Sequence, residues 1–406
     1  MLFFFFCVLC RFVSSLVTLH PLMSRLKSTS ASSHNHGASG SRVLRYHHVL
    51  VEIRKRGQMD ANNDAGATWG SLNCTDGARD CAVKIHDALT VRSTRMSAAL
   101  EFSLAQEQDF QQVLNICSSD AFDGLDYMAA AFHRWLQEPG RVVFIARKDN
   151  RVVALESALL IDGGQTAVFQ GLRVVPDLRG HGIADALQKH VTDYIHQHYP
   201  QVSAVRLSRA VQPSPQTLAK YRLVAKEAVV SLRCEAVHLQ AFVAELGSRL
   251  HGHDTVTLSQ QQAETLILSD HVVFSLLPSK TIINDWEPLK PMEANMEVLR
   301  RRRLTWIVDR ELEPSAISLC TTPYPVPYRH DALHFNINIF SHSVSSACAV
   351  FVAQLESLLP RLQGLLIFHT FVHPEVWSGL RQFCQNNAGV SFFKDYWEEV
   401  ILERDL

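Results

Sequence analysis

The chain passes from a strand into a helix within the stretch LRVVPDLRGHGIA, residues 172–184. Leu172–Val175 is apolar and strand-like, and Pro176 ends it because proline has no N–H to donate to a strand ladder. Gly182–Tyr199 then predicts an amphipathic helix, with apolar residues at intervals of four. Glycines let the backbone approach a ligand closely, and the free N–H groups of a helix N-terminus favour a diphosphate. The alternative is an ordinary turn whose glycines serve backbone geometry alone.

The elements around this turn predict an α/β fold. Between Leu100 and Cys234 the patterns give a strand, two helices, three antiparallel strands, a helix, a strand, a helix and a strand. The strand–helix–strand unit at Ala167–Ser208 closes as a right-handed parallel crossover. We therefore expect a mixed, mostly antiparallel sheet flanked by helices on both faces.

Length and charge limit the functional classes. The 406 residues suffice for two domains, and the hydrophobic fraction of 47% allows a sizeable core. The 39 basic and 40 acidic residues give a net charge of −1, so no basic footprint for nucleic acid is expected. The nine cysteines are irregularly spaced, which predicts no metal site and favours reduced thiols in a cytoplasmic protein.

The N-terminal region differs in composition from the rest. Residues 1–95 contain the apolar segment Leu2–Leu19, interrupted by Arg11, followed by a tract rich in Ser, His, Asn and Gly. The segment is short for a membrane span, so no stable insertion is expected, although a signal peptide or weak anchor stays open. We interpret residues 1–95 as disordered or as a non-native extension, with the globular pattern opening near Met96.

The C-terminal half repeats part of the first pattern. We assign residues 98–247 to the first domain and residues 263–406 to the second, with His251–Gln262 as a linker. Predicted in the second domain are the strands Ala316–Thr321 and Leu333–Phe340, the helix Ser345–Leu362, the strand Gly364–Val372, the helix Pro374–Asn386 and the strand Val390–Leu402. This half lacks a glycine turn before its first long helix. Two further roles stay open: it shapes an acceptor pocket, or it completes the first domain's sheet.

Arg179-Gly180-His181-Gly182-Ile183-Ala184 resembles the acetyl-CoA motif of GNAT-superfamily N-acetyltransferases, Arg/Gln-x-x-Gly-x-Gly/Ala. The second domain then reads as a degenerate GNAT-like α/β domain without a cofactor loop. The chain is also similar to the histidine N-acetyltransferase family at Gly124–Tyr127, Ala154–Ser157, Gly171–Val174, Lys220–Arg222, Ile283–Trp286 and Ser318–Cys320. These stretches extend over most of the chain after Leu100.

The resemblance implies acetyl-CoA as co-substrate, no metal, and a free amino acid, best matched by L-histidine, as acceptor. It assigns the pantetheine arm to backbone groups of Leu172 and Val174, and the pyrophosphate to the loop. The residues that it places at the cofactor are Leu172, Arg173, Val174, Arg179, Gly180, His181, Gly182, Ile183 and Ala184. Two rival functions stay open: an N-acetyltransferase of proteins or peptides, and a non-catalytic acyl-CoA-binding module.

By the same resemblance Tyr221 is the candidate general acid, because the superfamily often places a tyrosine close to the thioester sulfur on this helix, which is predicted from Ser214 to about Val224. A tyrosine with a pKa of about 10 can protonate a leaving thiolate, whose own pKa is about 8.5. The alternative is a tyrosine packed against the sheet. Gln170 occupies the strand position where many GNAT enzymes carry a carboxylate, and it is expected to orient the substrate or a water.

Glu156 lies within the apolar run of the neighbouring strand and is the candidate base, because burial would raise its pKa towards neutrality. A structural ion pair or an anchor for the substrate amine is the alternative. Asp126 and Tyr127 begin the second helix, and the resemblance places them beside the acceptor. A helix cap is the alternative role of Asp126.

Overall fold

A computed structural model describes residues 99–117, 121–250 and 254–406, which form one compact unit. The predictions for residues 1–95, including the segment Leu2–Leu19, lie outside the described residues. Within the described part of the chain, no helix combines the length and apolar character needed to cross a membrane.

The first half follows the predicted order of elements. Its strands are β1 (Glu101–Leu104), β2 (Arg141–Lys148), β3 (Arg151–Ile161), β4 (Thr166–Val174), β5 (Ala204–Arg209) and β6 (Arg222–Glu235). Its helices are α1 (Phe110–Leu114), α2 (Met128–Gln137), α3 (Ile183–His198), α4 (Pro215–Leu218) and α5 (Ala236–Ser248). The apolar stripe of α3 is buried against the sheet at Ile183, Leu187, Val191 and Ile195, as its spacing predicts.

The second half begins with short elements and ends with a strand–helix–strand–helix–strand series. Its strands are β7 (Val256–Leu258), β8 (Ile282–Asn284), β9 (Glu287–Leu289), β10 (Thr305–Val308), β11 (Ala316–Cys320), β12 (Tyr324–Val326), β13 (Ala332–Ser341), β14 (Leu365–Val372) and β15 (Val390–Asp405). Its helices are α6 (Gln260–Ile267), α7 (Asp270–Ser275), α8 (Met296–Arg302), α9 (Val344–Leu358) and α10 (Pro374–Phe383).

Strands from both halves form one continuous sheet, in the order β1-β2-β3-β4-β5-β15-β6-β14-β13-β11-β10-β7, with β12 beside β13. Each half gives its last strand to the other. β15 runs antiparallel to β5 from Val400 to Asp405, and β6 runs antiparallel to β14 from Ala228 to Glu235. β15 and β6 pair with each other at the centre. The expected fold class, a mixed and mostly antiparallel sheet flanked by helices, is confirmed.

Two predicted elements were wrong. The helix after Ser214 ends at Leu218 instead of Val224, although Ser214 caps it as expected by accepting from Thr217 N. The chain enters β6 at Arg222 because pairing with β15 satisfies its backbone over fourteen residues. The linker predicted at His251–Gln262 contains β7, which pairs with β10, and the start of α6.

Because β15 of the second half lies between β5 and β6 of the first half, we predict that the first half does not fold alone. A fragment of residues 96–247 lacks β15, so the facing edges of β5 and β6 have no hydrogen-bond partners and a large apolar surface is uncovered. We expect this fragment to aggregate or to show little secondary structure, and residues 96–406 to fold as a monomeric species. Circular dichroism and size-exclusion chromatography measure both. A soluble, cooperatively unfolding 96–247 fragment would contradict the role given to β15.

Candidate active site

The glycine loop leaves the N-terminus of α3 open. Gly180 and Gly182 have φ values of +80° and +77°, a left-handed conformation that glycine adopts without steric cost. Gly182 is the N-cap of the sixteen-residue helix α3, and a Cβ added to it would meet no atom within 4 Å. The first N–H groups of α3 and the positive end of its dipole therefore face free space, which suits a diphosphate.

Arg179 and His181 make hydrogen bonds within the loop. Arg179 Nε donates to the carbonyl oxygen of Val174 at 3.0 Å, which ties the loop to the end of β4. His181 is exposed, with Nδ1 3.1 Å from the carbonyl oxygen of Arg179. The loop is thus held in place by its own side chains before any ligand arrives.

A notch opens between β4 and β5. The two parallel strands pair at Thr166–Val168 with Ala204–Arg206. Beyond that point β4 continues to Val174 and stays paired with β3 on its other edge. Beyond Val168 the edge of β4 that faces β5 has no strand partner among the described residues, so its backbone groups are available to an extended ligand. β5 cannot swing back across the notch, since β15 holds its other edge.

A bulge in β4 lies at the same place. Its register against β3 shifts between Leu155 and Ser157, which leaves Gly171 and Leu172 opposite Glu156. Gly171 has a φ of +80°, and a Cβ there would lie 2.9 Å from the Trp135 ring. Only glycine fits this position.

Tyr221 follows α4 directly and lies on the sheet face covered by α3, the α3 face. Its hydroxyl oxygen accepts a hydrogen bond from Arg404 Nε at 3.2 Å. Arg404 belongs to β15, pairs in register with Val205 of β5, and places Nη2 3.5 Å from Thr192 Oγ1 on α3. Because the tyrosine oxygen accepts from Arg404, its own O–H proton is free to be donated elsewhere.

Glu156 is buried on the α3 face, with 1% of its surface exposed. Oε1 accepts from Gln188 Nε2 of α3 at 3.0 Å, and Oε2 has no partner among the described residues. Burial raises the pKa of this carboxyl to about 8, and the hydrogen bond from Gln188 offsets the shift only in part. Gln188 and Thr192 are one helical turn apart on α3. Glu156, which bonds to Gln188, and Arg404, which bonds to Tyr221 and contacts Thr192, therefore lie against the same side of this helix.

Gln170 lies on the opposite face of the sheet. It pairs in register with Ser157, the neighbour of Glu156, and adjacent strand residues point to opposite faces. Arg141 Nη1 donates to Gln170 Oε1 at 3.0 Å, and Gln170 Nε2 donates to the carbonyl oxygen of Asp285 at 3.3 Å. Asp285 belongs to the turn of the β8–β9 hairpin, and we call this side of the sheet the hairpin face.

Asp126 and Arg173 form a buried ion pair. Arg173 Nη1 lies 2.9 Å from both carboxylate oxygens of Asp126, and Asp126 Oδ1 also accepts from Met128 N at the start of α2. The guanidinium lies 5.3 Å from the ring centre of Tyr127. Asp126 therefore positions Arg173 and accepts a hydrogen bond from the first residue of α2. Burial raises the pKa of Tyr127.

One group of metal-capable side chains occurs in the described ranges. His342 and His373 each place Nδ1 3.7 Å from Glu375 Oε2, near the start of α10. Two of the three side chains are exposed, and none is among the residues that border the glycine loop or the notch.

Comparisons with known proteins agree in both halves. Residues 108–221 match the model of the acetyltransferase (GNAT) family, and residues 251–373 match that of the histidine N-acetyltransferase C-terminal region. A histidine N-acetyltransferase of Oreochromis niloticus is 34% identical over 321 residues, which are 76% of this chain and 94% of that protein. The chain belongs to the histidine N-acetyltransferase family. It is an acetyltransferase with a GNAT domain.

Two other similar proteins extend the comparison. The probable N-acetyltransferase 16 of Homo sapiens is 36% identical over 76% of this chain and 86% of its own length. A tandem GNAT protein from the clavulanic acid biosynthesis pathway covers 76% of this chain and 98% of its own, with 16% identity and a TM-score of 0.45.

The sequence analysis did not predict the polar residues that β15, a strand of the second half, places beside the first half. Arg404 contacts Tyr221 across 183 positions, and Glu399 of β15 is buried opposite Glu227 of β6. One sequence feature could have indicated Glu399: the pair Glu398-Glu399 lies inside the apolar end of a predicted strand. Asp285 falls within a stretch that carried the family resemblance, without a role.

Glu156 predicts an unusual pH dependence of stability. A carboxyl whose pKa rises from 4.5 to about 8 on folding takes up a proton, so its burial becomes more costly as pH increases between those values. Glu156→Gln should therefore stabilise the protein little at pH 5 and by about 2–4 kcal/mol at pH 8, since each pKa unit corresponds to about 1.4 kcal/mol. Urea unfolding at both pH values measures this.

Glu311→Gln is the control, because Glu311 is exposed and its replacement should leave the unfolding free energy nearly unchanged at both pH values. A stability difference for Glu156→Gln that does not grow with pH would show that this carboxyl is ionised in the folded protein.

Proposed function

We propose that this acetyltransferase moves acetyl from acetyl-CoA to the α-amino group of free L-histidine. The observation that supports it most is a glycine loop at an open helix N-terminus, next to a notch between two parallel strands. The acceptor comes from the relatives named histidine N-acetyltransferase, which the chain matches over both halves.

Acetyl-CoA fits the loop and the notch as a substrate. The backbone N–H groups of Gly180, Gly182, Ile183 and Ala184 would hold its pyrophosphate, because they stand at the positive end of α3. Backbone groups of Leu172 and Val174 would pair with the amides of the pantetheine arm in the way a further strand would. The thioester then lies near the β4 bulge.

Tyr221 would protonate the leaving thiolate. The amine attacks the thioester carbonyl, a C–N bond forms, the C–S bond breaks, and the sulfur takes the tyrosine proton. Arg404 supports this role, since it holds the phenol oxygen and favours the negative charge that develops on it. Gln170 would orient the acceptor from the hairpin face. Glu156 stays the proposed proton acceptor on the α3 face, with a pKa near the working pH.

The acceptor is tested by CoA release from acetyl-CoA with each amino acid supplied singly. We expect turnover with L-histidine, with the acetyl group found on the α-nitrogen by mass spectrometry. Turnover on peptides but not on histidine would point to a protein N-acetyltransferase. Binding of acetyl-CoA without turnover on any amine would point to a non-catalytic module.

Tyr221→Phe should lower kcat about 100-fold and leave the KM for acetyl-CoA within twofold, because it removes one proton donor and no binding group. Tyr396→Phe is the matched control, since that exposed tyrosine bonds only to Glu398. Stopped-flow assays of CoA release measure both. An unchanged kcat in Tyr221→Phe would assign the proton to another donor.

A further inference from the structure

A polar chamber lies under the β8–β9 hairpin. Asp285 at the hairpin turn accepts from Gln170 of β4 through its carbonyl oxygen and from Asn336 of β13 through its carboxylate, at 3.3 and 2.9 Å. β4 and β13 are five strand spacings apart, which is about 24 Å in a flat sheet. Contact of both strands with one residue means that the sheet curls around the turn. The strands between them, β5, β15, β6 and β14, form the floor of the chamber.

Carboxyl groups converge in this chamber, and Arg134 and Arg302 act electrostatically on one of them, Asp285. Glu227 and Glu399 are register partners on β6 and β15, both buried, and Asp285 acts electrostatically on Glu399 from the hairpin. None of the three forms a salt bridge within the described part of the chain. Burial raises the pKa values of all three, and the proximity of Glu399 adds to the shift at Glu227. Glu227 and Glu399 are two buried carboxyls without a counter-ion, an arrangement that is costly unless a cation joins them.

Further polar groups line the chamber. Glu399 is fully buried, and Ser208 Oγ of β5 is positioned to donate a hydrogen bond to its carboxylate. Asn338 Oδ1 on β13 has no partner among the described residues, while Asn338 Nδ2 donates to Glu227 at 3.0 Å. Buried polar groups in folded proteins are almost always bonded, so these groups are suited to binding a polar ligand.

The aromatic wall of the chamber has an unusual backbone. Trp286 stacks on Trp397 with ring centres 5.8 Å apart and meets Phe371 edge-on at 6.0 Å. Trp286 has a φ of +68° and Asp285 one of +50°, a left-handed turn where glycine or asparagine is usual. Residues other than glycine adopt this conformation rarely, because their Cβ comes too close to the following carbonyl oxygen. The strain places an aromatic ring and a carboxylate together over the floor.

The chamber opens next to the proposed thioester position. Gln170 and Ser208 each lie two residues past the last paired residues of β4 and β5, Val168 and Arg206, so both border the notch on the hairpin face. Glu399 points to the same face, since its strand neighbour Ile401 pairs with Ser208.

We propose that this chamber is the acceptor site, and that Glu227, Glu399 and Asp285 select a small cationic molecule with a planar ring. The protonated imidazole ring of the acceptor lies against the carboxyls and packs on Trp286 and Trp397, and its α-amine points towards the notch. This assignment rests on the proposed acetyl transfer and adds the residues that choose the acceptor. Gln170 contributes a hydrogen bond at the chamber's rim.

Binding is measured by calorimetry on the whole protein saturated with CoA, with L-histidine and with histamine, which keeps the ring and ammonium but lacks the carboxylate. We expect Glu399→Gln and Glu227→Gln each to weaken both ligands at least 20-fold, with CoA affinity unchanged. Glu398→Gln is the matched control, because Glu398 is the adjacent residue on the other face of β15 and bonds to Lys226. It should bind as the wild type does.

Specificity gives a second readout. The wild type should prefer histidine to phenylalanine at least 100-fold in kcat/KM, and Glu399→Gln should reduce that ratio to below 10-fold without a lower melting temperature. Trp286→Gly should raise the KM for histidine at least 10-fold, because it removes the ring. Two results would overturn the assignment of the chamber as the acceptor site. One is equal affinity of Glu399→Gln and the wild type for histidine and histamine, and the other is no binding of either ligand to the wild type.

Failure of the proposed function is a separate outcome. Suppose that the wild-type protein transfers no acetyl to histidine, while Glu399→Gln still abolishes histamine binding. Histidine acetylation would then be excluded, and the cation-binding role of the chamber would stand.

Discussion

Hydrogen bonding of β15 to β5 on one edge and to β6 on the other is the constraint on which the rest of this acetyltransferase depends. It joins two halves into one sheet and fixes β5 at one side of the notch. The same strand carries Arg404 to Tyr221 on one face and Glu399 to the chamber on the other. Because neighbouring strand residues point to opposite faces, a single C-terminal strand supplies both sides of the site.

The two faces of the sheet have different chemistry. On the α3 face, Glu156 bonds to Gln188 of α3, and Tyr221 bonds to Arg404, which in turn contacts Thr192 of the same helix. On the hairpin face, Gln170, Ser208 and Glu399 look into a polar space that the β8–β9 turn covers. The gap between β4 and β5 is where the faces communicate, and this is the geometry that a transfer between two substrates requires. In the proposed reaction, each substrate approaches from its own side.

The local parts of this arrangement could be predicted from the sequence. Gly180 and Gly182, the α3 stripe and the burial of Glu156 follow from glycine geometry and periodicity over a few residues. The rest depends on partners far apart in the chain. Tyr221 leaves its predicted helix because β15 pairs with the residues after it, and Asp126 is neutralised by Arg173, 47 positions away. No pattern over a few residues predicts such pairings. Residues 1–95 lie outside the described part of the chain.

The position of β15 in the chain also sets when this protein can become active. β6 ends at Glu235, and its partner strand ends at Asp405, so the ribosome must add about 170 further residues before the sheet closes. At 5–20 residues per second this takes roughly 10–30 s, during which the first half has an uncovered edge. A stop codon at or before position 399 removes Glu399 from the hairpin face and Arg404 from the α3 face at once.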